Sequence, residues 1–166
     1  LSSIYNDLPF KTIIVGGVDK KTIREEILSH DRIMMMGHGC PTGLFSVGMF
    51  PGSNGLVIDK SIVPDLREKE NVFIWCNADK FVEEHELKGF YSGMFISELG
   101  EAHYCGFPDS DVTEVSISNF TFAKQMSMNI TKSINEMYDN VKKEYGLLAE
   151  TNPIAKYNND RLYYFP

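Results

Sequence analysis

The sequence predicts an α/β fold in which a mostly parallel central sheet carries helices on both faces. Two observations point there. Short apolar runs alternate with segments of helical spacing, the pattern of repeated strand–helix–strand units. The apolar runs are also near-continuous rather than alternating, as expected of strands covered on both sides.

Taken in order, Thr12-Ile13-Ile14-Val15 is rich in β-branched residues and stops at Gly16-Gly17, so it reads as a buried first strand. Lys21 to Ser29 carries Ile23, Ile27 and Leu28 at helical spacing, with His30 placed as a C-terminal cap. Arg32 to Met36 is a second apolar run, its methionines reading as plain core, and it ends at Gly37-His38-Gly39. Leu44 to Asp59 holds two short apolar pieces, Leu44-Phe45 and Leu56-Val57-Ile58, among glycines and a proline. This suggests a hairpin over the sheet edge.

Ser61, Pro64 and Asp65 mark a helix start. Val72 to Trp75 is the third strand and runs directly into Cys76. Phe90 to Leu99 groups Tyr91, Met94, Phe95 and Leu99 on one helical face before Gly100, and Ala102 to Phe107 reads as a fourth strand. Phe122, Met126, Ile130, Ile134, Met137, Val141 and Tyr145 recur at steps of four or three, which predicts one long helix ended by Gly146. Arg161 to Phe165 reads as a last strand. The aromatic residues from Tyr157 onward suit either core packing or a substrate groove.

Composition narrows the function classes. A chain of 166 residues fits a single domain spanning 1–166 and can bury a core without metal or disulfide staples. Hydrophobic residues are 43% and charged residues 23%, an ordinary soluble balance. The net charge of −7, without a Lys/Arg-rich run, argues against a nucleic-acid partner. No apolar stretch approaches a membrane span. Three cysteines at wide spacings are no disulfide framework, which predicts free thiols in a reducing, cytoplasmic setting. The chain starts at Leu1 rather than Met, so an amino-terminal region is expected ahead of it.

In an open parallel sheet, ligands bind beyond the carboxyl ends of the strands. Two predicted strands end in reactive side chains, one at His38 and the other at Cys76. The hairpin and helix between them are long enough for a crossover, so the two strands can be parallel neighbours. A cysteine there can act as nucleophile, with histidine taking its proton and later protonating the leaving amine. The N–H groups of Gly39 and Cys76 can form an oxyanion hole, Gly39 because a bare backbone lets a carbonyl oxygen approach closely.

An apolar strand ending in His-Gly, a hairpin, a helix, then an apolar strand ending in Cys resembles the caspase-like cysteine peptidases. The resemblance covers roughly residues 12–107. It implies a caspase-like three-layer sandwich, peptide-bond hydrolysis through a thioester acyl-enzyme, no cofactor, and a protein or peptide substrate. His38 would be general base or acid and Cys76 the nucleophile. Caspases surround the cysteine with Gln-Ala-Cys-Arg-Gly, whereas this chain has Ile74-Trp75-Cys76-Asn77-Ala78. Trp75 also stands where related peptidases carry an aspartate that binds a basic P1 side chain. Trp75 and Asp19 are therefore the candidate substrate-binding residues, Asp19 because the first strand's end contributes to that pocket in these families. Asp19 reads equally as the N-cap of the Thr22–Ser29 helix.

Other readings compete. The fold can persist as a binding or scaffolding module without catalysis, or serve another α/β hydrolase, although no glycine-rich phosphate loop is present. His38-x-Cys40 and His103-x-Cys105 would give four zinc ligands if both pairs lay on strands, but the tight Cys-x-x-Cys turn is missing, and no metal is expected. Cys40 and Cys105 otherwise read as packing residues, and His85, inside Glu83-Glu84-His85-Glu86, as a surface residue.

Overall fold

A computed structural model describes residues 2–6, 8–16, 18–46 and 55–166. The chain forms two compact units, one of Leu1–Pro9 with Met94–Leu162 and one of Phe10–Gly93 with Tyr163–Pro166.

The second unit contains both candidate strand ends. Its elements are α1 (Lys20–Ser29), β1 (Arg32–Met36), β2 (Gly39–Cys40), β3 (Gly43–Phe45), β4 (Leu56–Ile58), α2 (Val63–Leu66), β5 (Glu70–Ile74), α3 (Ala78–His85) and β6 (Gly89–Ser92). A last strand, β7 (Leu162–Phe165), completes a mostly parallel sheet in the order β1-β5-β6-β7. β1 runs parallel to β5 in the register Met36↔Ile74, and β5 parallel to β6 in the register Phe73↔Tyr91. β2, β3 and β4 form a separate antiparallel sheet.

Period-two alternation decides which residues meet. Ile33, Met35, Phe73, Trp75 and Tyr91 join one core with Ile23 and Ile27 of α1, Leu66 of α2 and Phe81 of α3. Val72, Ile74 and Phe90, pointing the other way, are buried as well. At the start of β5, buried Asn71 donates through Nδ2 to the carbonyls of Leu66 and Lys88, at 2.9 and 3.1 Å. It therefore satisfies loop groups that would otherwise be stranded in the interior.

The expected first strand is absent. Thr12 to Val15 has no regular secondary structure and is exposed, Val15 at 76%. β-branched residues favour a strand only where a ladder partner and cover exist, and no described residue pairs with this segment. Gly17 lies outside the described residues, as do positions 47–54 of the expected hairpin. The flanks of that hairpin do pair, Leu44 with Ile58.

Phe90 to Ser92 is strand β6 rather than a helix. All four residues of β6 are buried, so no period distinguishes the two states. Gly89 discriminates them. It sits at φ +141, and a Cβ there would lie 2.9 Å from the Asn71 carbonyl carbon, so the backbones of β5 and β6 approach closely.

The first unit is helical: α4 (Leu99–Tyr104), α5 (Val112–Asn129), α6 (Ile134–Leu148) and α7 (Pro153–Asp160). The expected strand over Ala102 to Phe107 is mostly α4, started by a capping box between Glu98 and Glu101. The single long helix divides into α5 and α6 because Ser133 and Glu136 form another capping box in the middle of the apolar pattern. Gly146 lies inside α6, whose C-cap is Ala149. Tyr145 is buried between them, its hydroxyl 2.6 Å from Ser118 Oγ, and burial pushes it up to about 12. Tyr157 lies on α7, where Phe107 packs on its ring and the Arg161 guanidinium covers its face at 3.6 Å, so this part of the aromatic tail is packing. No helix among the described residues is long and apolar enough to cross a membrane.

Candidate functional site

β1 and β5 are the parallel neighbours that the site requires. Past the last registered pair, Met36↔Ile74, the Gly37 N–H still donates to the Ile74 carbonyl at 3.2 Å. His38 and Cys76 each follow that pair by two residues. Both therefore lie just beyond the carboxyl ends of adjacent parallel strands. His38 is exposed and Cys76 half-buried.

The two residues are held differently. The Phe45 N–H donates to the His38 carbonyl at 2.9 Å, so the hairpin of β2 and β3 starts at His38 itself. That makes Gly39 and Leu44 the next opposed pair, the non-hydrogen-bonded kind in an antiparallel ladder. The Gly39 N–H consequently points away from β3, as an oxyanion donor needs.

Cys76 occupies a sharp turn from β5 into α3. The Ala78 N–H donates to the Trp75 carbonyl at 3.2 Å, closing the turn, and Asn77 takes the left-handed conformation at φ 65. Asparagine tolerates that region better than most residues. Two further bonds tie the turn to the end of β6: the Ser92 hydroxyl donates to the Trp75 carbonyl at 3.0 Å, and the Asn77 N–H donates to the Gly93 carbonyl at 3.1 Å.

Of the two candidate substrate-binding residues, Trp75 is buried and Asp19 is exposed. Trp75 is 1% exposed and packs against Phe73 and Phe81, with ring centroids 4.9 and 5.7 Å away. Its indole also explains Gly39. A Cβ at position 39 would lie 2.7 Å from Trp75 Cγ and 2.8 Å from the Gly43 carbonyl oxygen, so the glycine is required by its own core. Asp19 is the N-cap of α1: its carboxylate accepts the Thr22 N–H at 2.8 Å. Hydrogen bonds from Thr22, backbone first, hold it below the usual 3.8. The capping reading of Asp19 thus accounts for its contacts, and Trp75 acts through packing.

His30 caps α1 as expected, with Nδ1 at 2.8 Å from the Glu26 carbonyl. His85 packs edge-on against Phe81 at 4.7 Å rather than standing free at the surface. His103 lies on α4, so His103-x-Cys105 lacks the strand geometry that a zinc site would need. Among the described residues no group of three His, Cys, Asp or Glu could hold a metal ion. Cys40 Sγ rests 3.2 Å from Thr42 Oγ1, and Cys105 is the C-cap of α4.

Sequence reasoning missed Ser92. It fell in a segment read as helix, and a lone serine carries no signal of its own. Only the pairing of β5 with β6 reveals what its hydroxyl reaches. No family model, curated protein or solved structure matches the chain.

Proposed function

We propose that this chain is a cysteine endopeptidase with a caspase-like arrangement, in which Cys76 is the nucleophile and His38 its acid–base partner. One observation carries the reading. β1 and β5 are parallel neighbours in the register Met36↔Ile74, and His38 and Cys76 each follow that pair by two residues, at the sheet edge where α/β enzymes bind ligands. The strand-to-helix turn at Cys76 supports it, because such turns present a nucleophile at the top of a sheet.

In the proposed reaction the Cys76 thiol gives its proton to His38 and its sulfur attacks the scissile carbonyl carbon. The carbonyl π pair moves onto oxygen, which the Gly39 and Cys76 N–H groups receive. The oxyanion collapses, the C–N bond breaks and His38 protonates the leaving amine, which leaves a thioester. Water then gives a proton to His38 and attacks the thioester. The acid product leaves, and sulfur takes the proton back. Three free thiols suit a reducing, cytoplasmic setting for this chemistry.

Cys76→Ala tests the reading. Peptide hydrolysis and labelling by thiol-reactive peptide ketones should both disappear in that variant. Hydrolysis at the wild-type rate by Cys76→Ala would sink the proposal.

A further inference from the structure

We infer that Ser92 is a positioning residue for the oxyanion hole, and this rests on the peptidase reading above. The argument turns on a single peptide group. The carbonyl of Trp75 and the N–H of Cys76 belong to the same peptide unit, and a trans peptide points them in opposite directions. No described peptide bond is cis. The Ser92 hydroxyl donates to that carbonyl at 3.0 Å, and Ser92, the last residue of β6, is fully buried.

Sheet order supplies the direction. β5 lies between β1 and β6, so a carbonyl drawn toward β6 turns the N–H of its own peptide toward the β1 side. That is the side on which His38 and Gly39 emerge. A hydrogen bond on the carbonyl also polarises the peptide and strengthens its N–H as a donor. Ser92 therefore orients and sharpens the Cys76 N–H without touching substrate. The Ala78 N–H shares the carbonyl at 3.2 Å and closes the turn, so loss of the hydroxyl leaves the carbonyl partnered and the fold intact. The Asn77 N–H on the Gly93 carbonyl keeps the turn registered against β6 independently of Ser92.

Two thiol reagents separate this role from a merely structural one. A peptide aldehyde is attacked by Sγ and holds an oxyanion in the hole, whereas iodoacetamide is displaced at carbon and uses no oxyanion donor. The full chain, Ser92→Ala and Ser92→Thr are compared, using acetyl-tripeptide aldehydes with basic, acidic and apolar P1 residues. In Ser92→Ala, kcat should fall about tenfold with KM within about twofold, and aldehyde inhibition should weaken about tenfold. Its iodoacetamide rate should stay within about twofold of wild type, and Ser92→Thr, which keeps the hydroxyl, should recover most of the loss.

Equal aldehyde inhibition in wild type and Ser92→Ala would overturn the inference alone. So would a parallel fall in the aldehyde and iodoacetamide reactions, which would mean the thiol itself had moved. A wild-type chain that neither cleaves peptides nor takes up any aldehyde would remove the peptidase reading, and this inference with it.

Discussion

The ends of β5 and β1 are a register pair, yet they are built in opposite ways. Beyond β5, the turn is fastened from several directions. The Trp75 ring is in the core, its carbonyl receives Ser92 and Ala78, and the Asn77 N–H reaches Gly93. Beyond β1, the chain leaves the sheet after one more ladder bond and becomes a short hairpin whose first residue, His38, is exposed. A nucleophile gains from a fixed position because it must meet a carbonyl within a few tenths of an ångström. A proton carrier tolerates more freedom. The weak point of the pair is thus the β1 end, and the contact between Gly39 and the Trp75 indole is what couples it to the β5 end.

The largest effect should come from removing the exposed partner. His38→Ala should lower kcat for peptide hydrolysis by about 10³-fold. The bonds from Ala78, Ser92 and Asn77 that hold the Cys76 turn remain in this variant, which should melt close to wild type in a thermal scan. A loss of activity accompanied by a large fall in Tm would mean that the β1 end carries stability as well as chemistry, and the contrast between the two ends would fail.

Next comes the coupling contact itself. Gly39→Ala puts a methyl group 2.7 Å from Trp75 Cγ and 2.8 Å from the Gly43 carbonyl oxygen. Overpacking of this kind costs about 1–3 kcal/mol, measurable by urea unfolding. Trp75→Phe makes room on the ring side. It also removes a buried Nε1 that has no hydrogen-bond partner among the described residues. The double variant should therefore lose less than the sum of the singles, by about 1 kcal/mol. Strict additivity would show that the hairpin, not the indole, limits position 39.

What was legible in the sequence follows from how local each signal is. The strands over Arg32 to Met36 and Val72 to Trp75, the start of α2, and the parallel pairing of the two strands that lead to His38 and Cys76 could be read because long apolar runs end abruptly at polar residues. The helical half was misread where two local rules conflicted. The apolar period from Phe122 to Tyr145 continues unbroken through Ile130, while Ser133-x-x-Glu136 starts a new helix beneath it. Glu98-x-x-Glu101 likewise marked a helix start just ahead of Ala102 to Phe107, a segment whose apolar content suggested a strand. In each case the capping residues outweighed the apolar pattern, since they decide where backbone donors are satisfied. Ser92 and the Trp75–Gly39 contact were invisible for another reason. Each joins residues distant in sequence through the sheet, and a serine or a tryptophan alone does not say which carbonyl or glycine it will meet.

The smallest effect concerns Asp19 and separates strand ends from helix starts as the source of the site. If Asp19 acts only as the N-cap of α1, Asp19→Ala should lower Tm at pH 7 while leaving KM for peptide substrates unchanged, and Asp19→Asn should restore most of the Tm. The pH dependence has a definite sign. The Thr22 hydrogen bonds hold the folded-state carboxyl below its usual 3.8, so the folded protein binds the Asp19 proton less tightly than the unfolded chain. The stabilisation is complete above that value and disappears as the pH falls through the lower folded-state one. The Tm gap between wild type and Asp19→Ala should therefore be constant from neutral pH down to the ordinary carboxylate range and narrow below it. A KM that rises for basic substrates in Asp19→Ala, with no change in Tm, would return Asp19 to the substrate pocket and extend the site beyond the two strand ends.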